Sequence, residues 1–149
     1  MSVIECDLKY NDSRVRMNKE SSSAYGYDLI AAIDEPVIIK PNEVVFIKTG
    51  ISTHVKYGGF FGMIVSRPKL AAKSGIVVAN GVGIIEPDYQ GEWVVALKNT
   101  SDVDFVVNPL DKIAKALFVC GVSPSFNVVE EFGSEGRTHK AFGGTDVKK

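Results

Sequence analysis

Apolar residues fall along this chain in short bursts of strand-like composition. Val44-Val45-Phe46-Ile47, Phe60-Phe61-Gly62-Met63-Ile64-Val65, Trp93-Val94-Val95-Ala96-Leu97 and Asp104-Phe105-Val106-Val107 are β-branched or aromatic runs. Ala116-Leu117-Phe118-Val119-Cys120 and Phe126-Asn127-Val128-Val129 continue the series. Turn formers punctuate them: Lys40-Pro41-Asn42, Tyr57-Gly58-Gly59, Asn108-Pro109-Leu110-Asp111 and Ser123-Pro124-Ser125. Many short strands at regular spacing predict an all-β sandwich or barrel. No stretch carries a sustained 3.6-residue period. One short helix is predicted over Ser66-Arg67-Pro68-Lys69-Leu70-Ala71-Ala72-Lys73, with Ser66 as its cap, Pro68 in the first turn and Gly75 beyond its end. Gly133 to Lys149 is Gly-rich and polar, with Phe142 its one large apolar residue. The pattern therefore predicts a β domain over residues 1–132 and a flexible arm over 133–149.

Composition narrows the class. The 149 residues suit one domain. Seventeen Lys and Arg face eighteen Asp and Glu, for a net charge of −1, which excludes a whole-surface basic field for nucleic acid. Cys6 and Cys120 have no Cys-x-x-Cys spacing and make no disulfide framework, so they read as thiols of a reducing compartment. The start, Met1 to Asp7, has neither the basic nor the apolar region of a secretion signal. No apolar run approaches the ~18 residues of a membrane span. A cytoplasmic protein with no membrane partner is expected. The sequons at Asn11 and Asn99 then carry no meaning.

Several chemistries fail at once. His54 and His139 have no neighbouring Cys or His at ligand spacing, so no metal cage is predicted. Nucleophile-elbow and phosphate-loop patterns are absent from the sequence. Two segments have more to offer. Asn80 to Glu92 reads as a hairpin-like interruption of the strand pattern, with clustered carboxylates and Tyr89. A carboxylate on a rigid turn suits a general base, and the Tyr offers a flat face to a sugar or a base. In the arm, Arg137, Lys140, Phe142, Gly143, Gly144 and Thr145 could wrap and neutralise phosphates. Taken alone, each segment is better read as a solvated turn and a frayed tail.

Together they resemble the trimeric dUTPase family along nearly the whole chain. Five motifs stand in the family's order: Ala24-Tyr25-Gly26-Tyr27-Asp28-Leu29; Arg67 to Gly75 with Ile76 to Asn80; Gly83 to Gly91; Asp111-Lys112-Ile113-Ala114-Lys115; and Arg137 to Thr145. The Gly75-to-Gly91 stretch is similar to bacterial and phage members, which implies the cytoplasm of a bacterium or of a phage-infected host. The resemblance implies a jelly-roll-like β-sandwich homotrimer that hydrolyses dUTP to dUMP and pyrophosphate with Mg2+. It implies sites built from three subunits: the third motif from one, phosphate-binding segments from a second, and the arm from the third. Glu86 would be the base, with Asp28 ordering the water and the metal's shell. Mg2+ would be held by the triphosphate and water, with no direct protein ligand. Asn80 and the main chain at Gly83 and Ile85 would read the uracil edge, and Tyr89 would pack under the deoxyribose. Arg67, Pro68, Lys69, Lys115, Arg137 and Gly143 would line the phosphates, and Phe142 would close over the base.

The chain departs from the family at chosen places. Glu86 stands where Asp is usual, and the added methylene moves the carboxylate by roughly 1–1.5 Å. Pro68 and Lys69 replace a Ser and a small residue, Lys115 replaces a Gln, and Lys140 and Ala141 replace two glycines. The new lysines suggest compensation, with ammonium groups taking over from neutral hydrogen bonds. On that reading Lys115→Gln weakens nucleotide binding, more so at low salt; equal affinities at low ionic strength would remove the idea. Three alternatives stay open. One is a non-catalytic or weakly active dUTPase-fold protein that binds nucleotide in a regulatory role. Another is a pyrophosphatase for a different or modified deoxynucleotide. A dCTP deaminase of the same fold fits poorly, since it needs a Glu where Ala96 stands.

Overall fold

A computed structural model describes residues 5–56 and 58–133. Twelve strands and one helix follow in chain order. They are β1 (Cys6–Tyr10), β2 (Asn18–Lys19), β3 (Tyr27–Ile30), β4 (Val37–Ile39), β5 (Val44–Lys48), β6 (Ile51–Val55), β7 (Phe60–Ser66), α1 (Pro68–Ser74), β8 (Ile76–Val78), β9 (Val82–Ile85), β10 (Val94–Asn99), β11 (Phe105–Val107) and β12 (Lys112–Cys120). Five strands pair in the order β2-β3-β12-β7-β9, three in the order β5-β10-β8, and β1-β6 and β11-β4 form two-stranded ribbons. All pairings are antiparallel. The result is all-β, as the pattern predicts, and a jelly-roll-like sandwich, as the resemblance implies. No helix among the described residues is long and apolar enough to cross a membrane.

Alternation explains the core. Leu29, Ile64, Ala114 and Ala116 of the larger sheet and Ile47, Val78, Val95 and Leu97 of the smaller one meet in a single buried cluster. Trp93 fills its centre, fully buried, with its indole N–H donating to Thr53 Oγ1 at 3.1 Å. The ring sits directly over Gly62, where an added Cβ would lie 2.6 Å from Trp93 Cη2. Neither group can move cheaply in a close-packed interior. Gly62→Ala should therefore cost about 1–3 kcal/mol, read as a lowered melting temperature; an unchanged one would show that the indole gives way. Asn99 is also fully buried, and its amide bridges Ile39 O and Val103 O while its carbonyl oxygen accepts from Ser101. That sequon asparagine is a structural stitch.

Three expectations need correction. Ser66 does not cap the helix: it ends β7, and its hydroxyl accepts from the Val78 N–H at 2.9 Å. Arg67 holds the N-cap position in extended backbone, with Pro68 following as first helical residue and Gly75 closing the end at φ 66°. The strand expected over Phe126-Asn127-Val128-Val129 is coil, and Phe126 and Val128 are 85% and 93% exposed. The run has strand character but no pairing partner among the described residues. Lastly, Asn80 to Glu92 is not a hairpin. β8 pairs with β10, while β9 pairs with β7 in the other sheet, so the segment turns a corner of the sandwich.

Candidate active site

The larger sheet carries a charged row on its outward face. Asp28 of β3 lies opposite Lys115 of β12, which lies opposite Val65 of β7, which lies opposite Val82 of β9. Cross-strand partners share a face, so Asp28 and Lys115 project together. Their next neighbours along the strands, Leu29 and Ala114, point into the core. Alternation alone would turn Lys112 inward. The register shifts between Lys112 and Ala114, however, and the inserted residue leaves Ile113 and Ala114 both buried. Lys112 and Lys115, three apart, thus arrive on the same side of the sheet.

Their target is Asp28, only 2% exposed. Lys115 Nζ lies 3.2 Å from Oδ1 and Lys112 Nζ 2.8 Å from Oδ2. Arg67, set at the β7–α1 junction, brings Nε to 3.4 Å from Oδ1. The Lys112 contact is an ion pair without good hydrogen-bond alignment, so Oδ2 accepts no well-directed bond. Burial pushes the Asp28 carboxyl upward, but Lys112 and Lys115 outweigh it and hold the pKa below the usual aspartate value. The same cations gather a fifth group. Glu20 Oε1 lies 3.4 Å from Arg67 Nη2 and 3.6 Å from Lys115 Nζ. Three cations therefore share two carboxylates.

Of the predicted residues, Asp28, Arg67 and Lys115 come together here. Pro68 and Lys69 open the helix next to Arg67 and are exposed, but Lys69 makes no ion pair among the described residues. Lys112 and Glu20 belong to the cluster, and the sequence reading did not single them out. Lys112 had one signal: its spacing of three from Lys115 breaks a period of two. Glu20 had none, since its partner Arg67 is forty-seven residues away.

The corner holds the other predicted residues. Asn80 is exposed in the turn between β8 and β9, where Gly81 takes φ 73° and its N–H reaches Val78 O at 3.0 Å. Gly83 is buried against Ile64, whose Cβ would lie 3.2 Å from an added Cβ. Ile85 is half-buried opposite Gly62. Glu86 and Tyr89 close a turn, the Tyr89 N–H reaching Glu86 O at 3.1 Å, and Pro87 O accepts from the Val55 N–H at 3.0 Å. Glu86 is exposed, and its carboxylate makes no hydrogen bond or ion pair among the described residues. Tyr89 Oη donates to Glu92 O at 3.2 Å, and the ring folds over Gly91, where any Cβ would overlap it. An anchored turn thus presents two free carboxylates, Glu86 and Asp88, and one fixed aromatic face. Arg137, Phe142 and Gly143 lie outside the described residues.

A cleft of about 740 Å³ opens elsewhere, lined among others by Cys6, Leu8, Met17, Tyr27, Phe60 and Phe118. None of the predicted site residues among the described residues lines it. Tyr27 precedes Asp28 on its strand and so faces the opposite way, into this cleft. The pocket is a mostly apolar opening separate from the charged row.

Comparison with known proteins agrees with these features. The dUTPase family model matches residues 13–146. The chain is 39% identical over 152 aligned positions to a deoxyuridine 5'-triphosphate nucleotidohydrolase of Buchnera aphidicola, covering 99% of this chain and 97% of that one. The fold is similar to a Staphylococcus bacteriophage 80alpha dUTPase solved with dUpNHpp, at TM-score 0.84, 24% identity and coverage of 96% and 99%. It is also similar to a mutant dUTPase of Staphylococcus aureus phage phi11, described for its coordination of a structural Mg(II) ion, at TM-score 0.76, 23% identity and coverage of 87% and 99%.

Proposed function

Because the chain belongs to the dUTPase family, we propose that it hydrolyses dUTP to dUMP and pyrophosphate, limiting uracil in DNA and supplying dUMP. The observation that carries this reading is the convergence of Arg67, Lys112 and Lys115 on Asp28. Three cations fixed on one buried carboxylate keep a surplus of positive charge for a polyanion, oriented before it arrives. Asp28 itself is a poor proton acceptor there, facing three cations and with its pKa held down. It acts as the positioning residue of the phosphate-binding group. Glu86, exposed and unpartnered among the described residues, is the base that takes a proton from the attacking water.

Geometry favours a site shared between copies. Glu86 lies four residues along and two strands across from the row of Lys115, roughly 16 Å in an untwisted sheet. No single bound water spans that gap, so a neighbouring copy's Glu86 serves each phosphate cluster in a homotrimer. Phe126, Val128 and Phe132, exposed along coil after β12, supply apolar surface for a second copy to cover. The arm from residue 133 onward then reaches a third, with Arg137 and Gly143 on phosphate and Phe142 over the base. Asn80, Gly83 and Ile85 face the uracil, and Tyr89 meets the deoxyribose. Mg2+ would come bound to the triphosphate, as part of the substrate, and would neutralise charge there. Among the described residues no cluster of three His, Cys, Asp or Glu side chains offers it a cage, and Asp28 already faces three cations. The two free cysteines suit a reducing cytoplasm.

Pyrophosphate release with Mg2+, comparing dUTP with dTTP, dCTP, dATP and UTP, tests the reading. Selective dUTP turnover is expected. Comparable UTP turnover would show that Tyr89, packed under the sugar, leaves room for a 2′-hydroxyl, and no turnover with any of them would leave a nucleotide-binding module.

A further inference from the structure

We propose that Glu20 is a built-in competitor for the nucleotide: its carboxylate occupies the place between Arg67 and Lys115 that a phosphate oxygen of dUTP takes, and it leaves when the nucleotide binds. The inference rests on reading the Asp28 cluster as the phosphate site.

One oxygen of Glu20 bridges both cations, at 3.4 Å from Arg67 Nη2 and 3.6 Å from Lys115 Nζ. A phosphate oxygen approaching those two groups would claim the same space. The two carboxylates of the cluster are held very differently. Asp28 is 2% exposed on a strand paired on both sides, and it meets Lys112 and Lys115 at 2.8 and 3.2 Å. The Glu20 side chain is 59% exposed. It lies as far from Arg67 as Asp28 does, at 3.4 Å, but farther from Lys115, at 3.6 Å against 3.2 Å, and it makes no ion pair with Lys112. It follows β2, which is two residues long and lies at the edge of its sheet, and it precedes the serine run Ser21-Ser22-Ser23. Exposed ion pairs at such distances are weak and screened by salt. Asp28 is therefore the permanent counter-ion, and Glu20 is the exchangeable one.

The chemistry explains why a lysine can be tolerated at position 115. Without Glu20 the empty cluster would leave two cations beyond the charge of Asp28, close together and repelling. Glu20 quiets that repulsion while the site is empty. A triphosphate, carrying more charge and reaching Arg67 and Lys115 at once, displaces it. Each binding event is then an exchange of anions, and the affinity is lowered by the strength of the contact that is broken.

The test is calorimetric titration with dUpNHpp, and separately with inorganic pyrophosphate, of the full-length protein and of Glu20→Gln, Glu20→Ala and Glu20→Asp. Glu20→Gln and Glu20→Ala should both bind dUpNHpp more tightly, by about three- to ten-fold at low ionic strength. The gain should shrink as salt is added. Glu20→Asp, which keeps the charge, should stay near the parent. Equal or weaker binding by Glu20→Gln and Glu20→Ala, with the parent binding normally, overturns the proposal: Glu20 would then be ordering the cations for the nucleotide. A parent that binds neither probe overturns the reading of the phosphate site itself, and the proposal with it.

Discussion

Glu86→Gln should lower kcat for dUTP hydrolysis by about 10²–10⁴-fold while leaving affinity for dUpNHpp close to the parent's. The amide keeps the size of the side chain and cannot accept the water's proton. Nothing else need change, because the Glu86 side chain makes no hydrogen bond or ion pair among the described residues. Its turn is held by two main-chain bonds, Tyr89 N–H to Glu86 O and Val55 N–H to Pro87 O, and by Tyr89 Oη donating to Glu92 O. Steady-state turnover beside analogue titration separates the two quantities. Near-full activity would move the base elsewhere. Glu86→Asp then asks a finer question. A faster enzyme means that the longer side chain is a handicap. A slower one means that the surrounding turn fits glutamate, since displacement by an ångström can cost ~10²-fold.

Asp28→Asn should have the largest effect on stability. The substitution is nearly isosteric, yet it strips the counter-ion from Arg67, Lys112 and Lys115. Breaking a buried ion pair from one side costs about 3–5 kcal/mol, and Lys112, half open to water, relieves part of that. About 3 kcal/mol is expected, a drop of roughly 6–12 °C in Tm at fixed protein concentration. The pH dependence has a definite sign. The folded pKa of Asp28 lies below its unfolded value, so its stabilisation is full above about pH 3.9 and fades as the pH falls through the lower folded value. Melting temperatures of the parent should therefore fall on that acid limb, and those of Asp28→Asn should fall less steeply. Two superimposable curves, with equal melting points at neutral pH, would show that the cluster contributes nothing.

How far these features could be read beforehand depended on the range of the interaction. β5, β7, β10 and β12 announce themselves because β-branched and aromatic residues crowd each run. β2, β4 and β8, of two or three residues, are too short for any period to register. Phe126 to Val129 shows the converse: local strand character does not suffice without an edge to pair with. Ser66 followed local capping statistics and was claimed instead by the N–H of Val78, across a strand boundary. At the site, Asp28, Arg67 and Lys115 were legible through motif resemblance, and the structure brings them together. Glu20 was not, because its place depends on the fold carrying it to residues far along the chain. Nor did spacing reveal that Asn80 and Glu86 flank a strand of one sheet while their neighbours on either side belong to another.

The single extra residue in β12 has a consequence beyond the site. Side-chain direction in a strand is a matter of parity, and the insertion at Ile113 resets the count between Lys112 and everything after it. Deleting that one position, with no charged or catalytic residue touched, would force Lys112 or the Lys115–Cys120 stretch onto the wrong side of the sheet. The face proposed to bind the polyanion is thus encoded as odd or even, and it is as vulnerable to a one-codon change of length as to any change of chemistry.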